Sequence, residues 1–263
     1  MEKEITKEAE GRRKFTQADI FREADRILHF AKEQKIVLRL LGGVGIWFSS
    51  PTTSKPGYSR EYNDLDFAGL RKQSRNIDNL FLELGYQPKG IFNKLQGDTR
   101  LKFFDEESGR RIDIFLDKFV MCHEFEFKDR LDLCERTLSP ADLLLTKLQI
   151  IEINKKDIMD AIAMFVDHPL VEKTSEKGLG IEIDRITSYT SSDWGIYKTI
   201  AVNLDRILSL LGSVSIPEHD KQVAAERILQ LRRIVEDAPK SFGWKMRAKI
   251  GDKVKWYELP EQT

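Results

Sequence analysis

The chain has 263 residues, 41% of them apolar and 33% charged, enough for one large domain or two modest ones and too apolar for a disordered chain. Lys plus Arg equals 43 and Asp plus Glu equals 43, so the formal net charge is zero, which argues against a protein that works mainly by neutralising phosphates over a broad surface. No run approaches the ~18 apolar residues of a membrane span, and the polar start, MEKEITKEAEGRRK, has no signal-peptide core, so a cytoplasmic protein with no membrane partner is expected. Cys122 and Cys134 read as reduced thiols, and His29, His123, His168 and His219 are scattered without metal-ligand spacing.

In chain order, residues 1–15 read as a flexible tail. Thr16 caps a helix carrying Ile20, Phe21, Ala24, Ile27, Leu28 and Ala31 at helical spacing. Lys35 to Leu41 is strand-like and runs into Gly42-Gly43, followed by a short apolar piece, Val44 to Phe48. The segment SSPTTSKPGYSR is dense in Ser, Thr, Pro and Gly and reads as a loop able to close over a ligand. Asn63 to Ala68 is a strand, and a helix capped by Ser74 runs over Asn76 to Leu84 and stops at Gly85. Arg100 to Phe104 and Arg111 to Leu116 form two strands joined by a Glu-Glu-Ser-Gly turn. Ser139-Pro140 with Asp142 starts a helix apolar on more than one face, hence buried. Asp157 to Phe165 is a further helix, Lys173 to Gly180 a polar linker, and helices resume near Ser191 and Gln222. The last stretch reads as irregular chain plus a hairpin turning at Gly251-Asp252. The expected fold is α+β: a mixed sheet flanked by helices in a core over 16–136, and a mainly helical domain over 137–263 that ends in a basic and aromatic hairpin.

Three features of the first half carry chemistry. Glycines after a strand, Gly42 and Gly43, let backbone N–H groups approach phosphate oxygens. Asp64 and Asp66 alternate on one strand, so their side chains share a face with Cα atoms ~6.5–7 Å apart. Read alone they are either a solvent-facing acidic pair or a repelling pair that a divalent cation relieves; Mg²⁺ favours one or two carboxylates plus phosphate oxygens. Asp113 stands on an apolar strand and, if that strand lies beside Asp64 and Asp66, completes three converging carboxylates suited to two-metal phosphoryl chemistry. Asp117 is the fallback for the third position, and Arg100 is a subordinate candidate for the same cleft.

The ordered set of Gly42-Gly43, Asp64-Leu65-Asp66 beginning 21 residues after Gly43, and a strand-borne Asp113 resembles the nucleotidyltransferase superfold of DNA polymerase β type. It is most similar to the AbiEii/AbiGii-like and MNT-like minimal nucleotidyltransferases. Their Arg-x-Thr/Ser-x-Asp-Leu-Asp pattern reads here Arg60-Glu61-Tyr62-Asn63-Asp64-Leu65-Asp66, with Tyr62 in place of the small hydroxyl residue. Leu138 to Lys147 and Asn154 to Asp160 resemble later segments of the same group. The resemblance covers residues 36–168. It implies Asp64, Asp66 and Asp113 as metal-binding and catalytic residues, and Gly42, Gly43, Arg60, Lys147 and Asp157 as nucleotide-binding residues. It also implies Mg²⁺ or Mn²⁺, an NTP substrate, and transfer of an NMP group with release of pyrophosphate. The expected acceptor is RNA or transfer RNA, as in a toxin-type enzyme held by a cognate antitoxin protein. The alternatives are a small antibiotic of aminoglycoside type, or a non-catalytic nucleotide- or partner-binding module. Lys240 to Tyr257 carries six Lys or Arg interleaved with Phe242, Trp244, Trp256 and Tyr257, a composition that either binds single-stranded nucleic acid or packs its aromatics on the helical domain.

Overall fold

The computed structural model describes residues 17–172 and 180–259. The 1–15 tail, the Thr16 cap and the linker at 173–179 lie outside the described residues. The elements are α1 (Gln17–Glu33), β1 (Leu38–Leu41), α2 (Gly42–Ser49), β2 (Asp64–Gly69), α3 (Ser74–Glu83), β3 (Gln87–Pro88), α4 (Gly90–Gln96), β4 (Arg100–Phe104), β5 (Arg111–Leu116), β6 (Lys118–Val120), β7 (Glu124–Glu126), α5 (Pro140–Leu148), α6 (Lys155–Asp167), β8 (Leu170–Val171), β9 (Ile181–Glu182), α7 (Ile183–Ser192), α8 (Trp194–Leu210), α9 (Glu218–Asp237) and α10 (Phe242–Ile250). The architecture is α+β, with a mixed five-stranded sheet in the order β1-β2-β5-β4-β3. Only the β2–β5 pair is parallel within it.

The sheet has two unlike faces because alternate residues of a strand point opposite ways. Leu65 and Phe67 of β2, Ile112 and Ile114 of β5, Leu101 and Phe103 of β4, and Leu38 and Leu40 of β1 form one apolar layer. It is covered by Ile20, Ala24 and Ile27 of α1 and by Ile77, Leu80 and Phe81 of α3, all buried. The other face carries Asp64, Asp66, Asp113, Arg100 and Lys102. Its apolar positions, Leu41, Ala68 and Phe115, join a second core built with α5, α6, α8 and α9.

Ser139 caps α5, accepting a hydrogen bond from the Asp142 N–H, with Pro140 in the first turn. Asp142, itself buried, accepts from Arg130 and Arg185 at 2.7 Å each, which ties the start of α5 to α7. Every residue of α5 is buried, as its two-faced apolar pattern requires.

Three readings of the sequence are corrected. The Gly42-Gly43 pair and the short apolar piece after it are one helix, α2: β1 ends at Leu41 and the chain coils at once. The segment from Ser49 to Ser59 is pinned, not a free cover. Thr52 donates to Asp167 from its N–H at 2.9 Å and its hydroxyl at 2.6 Å, Tyr58 donates to Asp220 at 3.1 Å, and Thr52, Thr53 and Tyr58 are buried. The terminal hairpin is instead α10. Ser241 caps it through the Trp244 N–H, Arg247 and Lys249 suit its last turn, and Gly251, at φ +59°, ends it. Of the aromatics in this stretch, Trp244 lies 5.1 Å from the Tyr197 ring and Trp256 donates to Thr199 of α8 at 3.1 Å, whereas Phe242 is exposed.

Candidate active site

Asp66 and Asp113 face each other across the parallel β2–β5 pair, in direct register; Asp64 sits opposite Arg111 in the same ladder. Opposed residues and residues two apart share a face, so the three carboxylates stand together on the polar side of the sheet. They line a cavity of about 110 Å³ with Lys89, Lys102 and Arg111.

The two outer carboxylates are held by guanidinium forks. Arg111 donates to both oxygens of Asp64 at 2.8 Å, and Arg100 donates to both oxygens of Asp113 at 2.9 Å. Bidentate pairs fix direction as well as charge. Asp66, between them, accepts no hydrogen bond and makes no ion pair among the described residues. Burial, and then the charges of Asp113 and Asp64, push its carboxyl up to about 7, against a smaller opposing pull from Lys147 and Arg100.

Gly42 lies directly over Asp66. A Cβ there would stand 2.0 Å from the Asp66 carboxylate oxygen, and its φ is +64°, so only glycine fits. A Cβ on Gly43 would stand 2.0 Å from the Arg60 guanidinium. The two glycines therefore join the carboxylates to a second charged cluster. Arg60 donates to Asp160 at 2.9 and 2.7 Å. Lys147 of α5 reaches Asp157 at 2.7 Å and Asp160 at 3.0 Å, both on α6. Burial alone would lower the Lys147 ammonium, but Asp160 and Asp157 outweigh it and hold it above its ordinary value. The Arg60 guanidinium also lies 4.1 Å from the Tyr62 ring centroid.

The structure thus brings together Asp64, Asp66, Asp113, Gly42 and Gly43, with Arg60, Lys147 and Asp157 joined to them through the two glycines that open α2. Asp117 is apart: it follows the end of β5 at φ +62°, and its carboxylate accepts from the Arg71 N–H at 3.0 Å. Sequence reasoning missed Arg111 and left Asp160 unassigned. The signal for Arg111 was its place two residues before Asp113, which puts it on the same strand face.

Among the described residues, no group of three or more His, Cys, Asp or Glu is drawn close enough to hold a metal ion. The donor chemistry nonetheless fits a hard divalent cation: three carboxylates on one face, the middle one unpaired and raised by burial and then by its neighbours. Asp64, Asp66 and Asp113 are the residues that would hold it, with Arg111 and Arg100 giving up part of their hold.

No helix among the described residues is long and apolar enough to cross a membrane. No protein-family model matches the chain, and no curated protein matches it. Solved structures similar to it include the solution structure of the antibiotic-resistance factor ANT(2'')-Ia, at 12% identity and TM-score 0.41, over 57% of this chain and 84% of that one. They also include the lincosamide antibiotic adenylyltransferase LnuA with lincomycin bound, at 18% identity and TM-score 0.40, over 54% of this chain and 94% of that one.

Proposed function

We propose that the chain is a nucleotidyltransferase that moves an NMP group from an NTP to an acceptor hydroxyl. The observation that supports it is the direct register of Asp66 with Asp113, beneath a glycine whose backbone touches the Asp66 carboxylate. A divalent cation, Mg²⁺ or Mn²⁺, would supply charge neutralisation at the triphosphate and the reacting oxygens. Asp64 and Asp66 would hold it on the donor side and Asp113 on the acceptor side. The acceptor oxygen bonds to the α-phosphorus as the bond to the β-phosphate oxygen breaks. Its proton passes to Asp113, and pyrophosphate leaves with the bonding electrons. The N–H groups at the start of α2 meet phosphate oxygens. Arg60 and Lys147, fixed by Asp160 and Asp157, supply positive field beside them.

The test is incubation with each α-labelled NTP and Mg²⁺, offering total RNA, protein extract and small hydroxylated antibiotics in turn. Label in an acceptor, lost in Asp64→Ala, supports transfer. Label in RNA selects the toxin-type arm, in which a cognate inhibitor protein is the expected partner; label in an antibiotic selects the small-molecule arm. NTP binding without any transfer points to a nucleotide-binding module, and full activity in Asp64→Ala overturns the metal assignment.

A further inference from the structure

Beside the carboxylates, the polar face of the sheet opens into a second cavity of about 220 Å³. Lys102 lines both cavities, and Arg100, which grips Asp113, lines the second. Its walls include Phe92, Phe115 and Met121. Lys102 stands 4.5 Å from the Phe92 ring centroid and Arg100 4.5 Å from that of Phe115, so both cations are held against aromatic faces. Arg100 also lies 3.7 Å from the Met121 sulfur. The C-terminal segment contributes to the wall: Glu258 and Leu259 line the cavity, anchored by the Glu258 N–H to the Cys122 carbonyl at 3.1 Å. The lining therefore carries two cations and one acid, next to the side chain that receives the acceptor's proton.

We propose that this cavity seats the acceptor, and that the acceptor carries a phosphate close to its reacting hydroxyl. The inference rests on the transferase reading and adds the acceptor's chemistry. Arg100 and Lys102 meet the phosphate, which places the hydroxyl at Asp113. The same phosphate competes with Asp113 for the Arg100 fork, so acceptor binding loosens the guanidinium from the carboxylate. A polycationic aminosugar meets like charge at both positions and is disfavoured. The volume is below the ~300–1,000 Å³ of a pocket that encloses a whole drug-sized ligand, so it takes one end of the acceptor. A nucleotide end and a sugar phosphate share this chemistry.

The experiment uses the full chain labelled with ¹³C at its methionine methyls, five in all, with Met121 assigned by Met121→Leu. The probes are ribose 5-phosphate, the dinucleoside monophosphate ApA and kanamycin. The expected result is that a phosphate-bearing probe moves the Met121 methyl and kanamycin does not. Val120→Trp, which fills the cavity from an exposed position, weakens that probe about tenfold or more, as does Lys102→Gln. Which phosphate probe binds more tightly tells a nucleotide end from a sugar phosphate. A Met121 methyl indifferent to both phosphate probes at millimolar concentration, or moved as readily by kanamycin, overturns the proposal. ATP binding in the presence of Mn²⁺ is measured on the same sample. If ATP binds while Met121 ignores the phosphates, only the acceptor assignment fails; if ATP does not bind, the transferase reading fails.

Discussion

Two charged clusters meet at the Gly42-Gly43 start of α2, and they are built on opposite plans. Around α5 and α6, Arg60, Lys147, Asp157 and Asp160 alternate in sign, and each reaches an opposite charge at 3.0 Å or less. On the sheet, Asp64 and Asp113 each have an arginine, while Asp66 between them has burial, two like charges and no ion pair. The first arrangement settles its charges by pairing and gives up stability when one is removed. The second holds a carboxyl where its ionised form is costly, so a ligand cation has something to gain there. Net charge does not separate the two clusters; pairing does.

Asp160→Ala should have the largest effect. It takes away the only carboxylate that Arg60 reaches among the described residues and leaves Lys147 with Asp157 alone, in a buried setting where removing one partner of a pair costs about 3–5 kcal/mol. Urea denaturation should show a loss of that size; a loss below about 1 kcal/mol would mean the cluster is not a stabilising unit.

Asp66→Asn should act in the opposite direction. The native state holds the Asp66 proton up to about pH 7, against 3.8 for an ordinary Asp, so the folded chain binds more protons than the unfolded one between those values. Stability from this group is therefore fully present below about pH 3.8 and is lost as pH rises to about 7. The amide variant removes the ionised form. It should gain as much as about 4 kcal/mol over wild type at pH 8 and almost nothing at pH 4. Thermal melts of both proteins across that range check the sign, and equal gains at both pH values would contradict it.

Gly42→Ala should cost less, about 1–2 kcal/mol for the left-handed backbone, with a further activity loss because its methyl intrudes on the Asp66 carboxylate. Activity unchanged by that methyl would separate Asp66 from the chemistry. Smallest of all is Arg111→Ala. Its pair with Asp64 is exposed, with 57% and 41% of the two side chains accessible, so stability should change by about 1 kcal/mol at most.

Much of this was legible in the sequence, and the limits have physical causes. Alternation along β2 and β5 put Asp64, Asp66 and Asp113 on strand faces, and Ser139-Pro140 marked α5, because those signals are local. Strand register is not local: that Asp66 pairs with Asp113, and that Arg111 therefore reaches Asp64, depends on the parallel β2–β5 ladder. Asp160 is read from sequence as a helix residue; its partner Arg60 is 100 residues away. Composition misleads at the segment from Ser49 to Ser59, whose turn-forming residues are fixed by distant Asp167 and Asp220. It misleads again at Gly251, which ends α10 rather than turning a hairpin.

Asp66 is the carboxylate on which the proposed cation, in company with a triphosphate, depends most. Titration of Mn²⁺ by electron paramagnetic resonance, with a non-hydrolysable ATP analogue present, tests it most directly in wild type and Asp66→Asn. The expected result is protein-bound Mn²⁺ in wild type and at least tenfold weaker binding in the variant. Equal Mn²⁺ binding by the two proteins would contradict it.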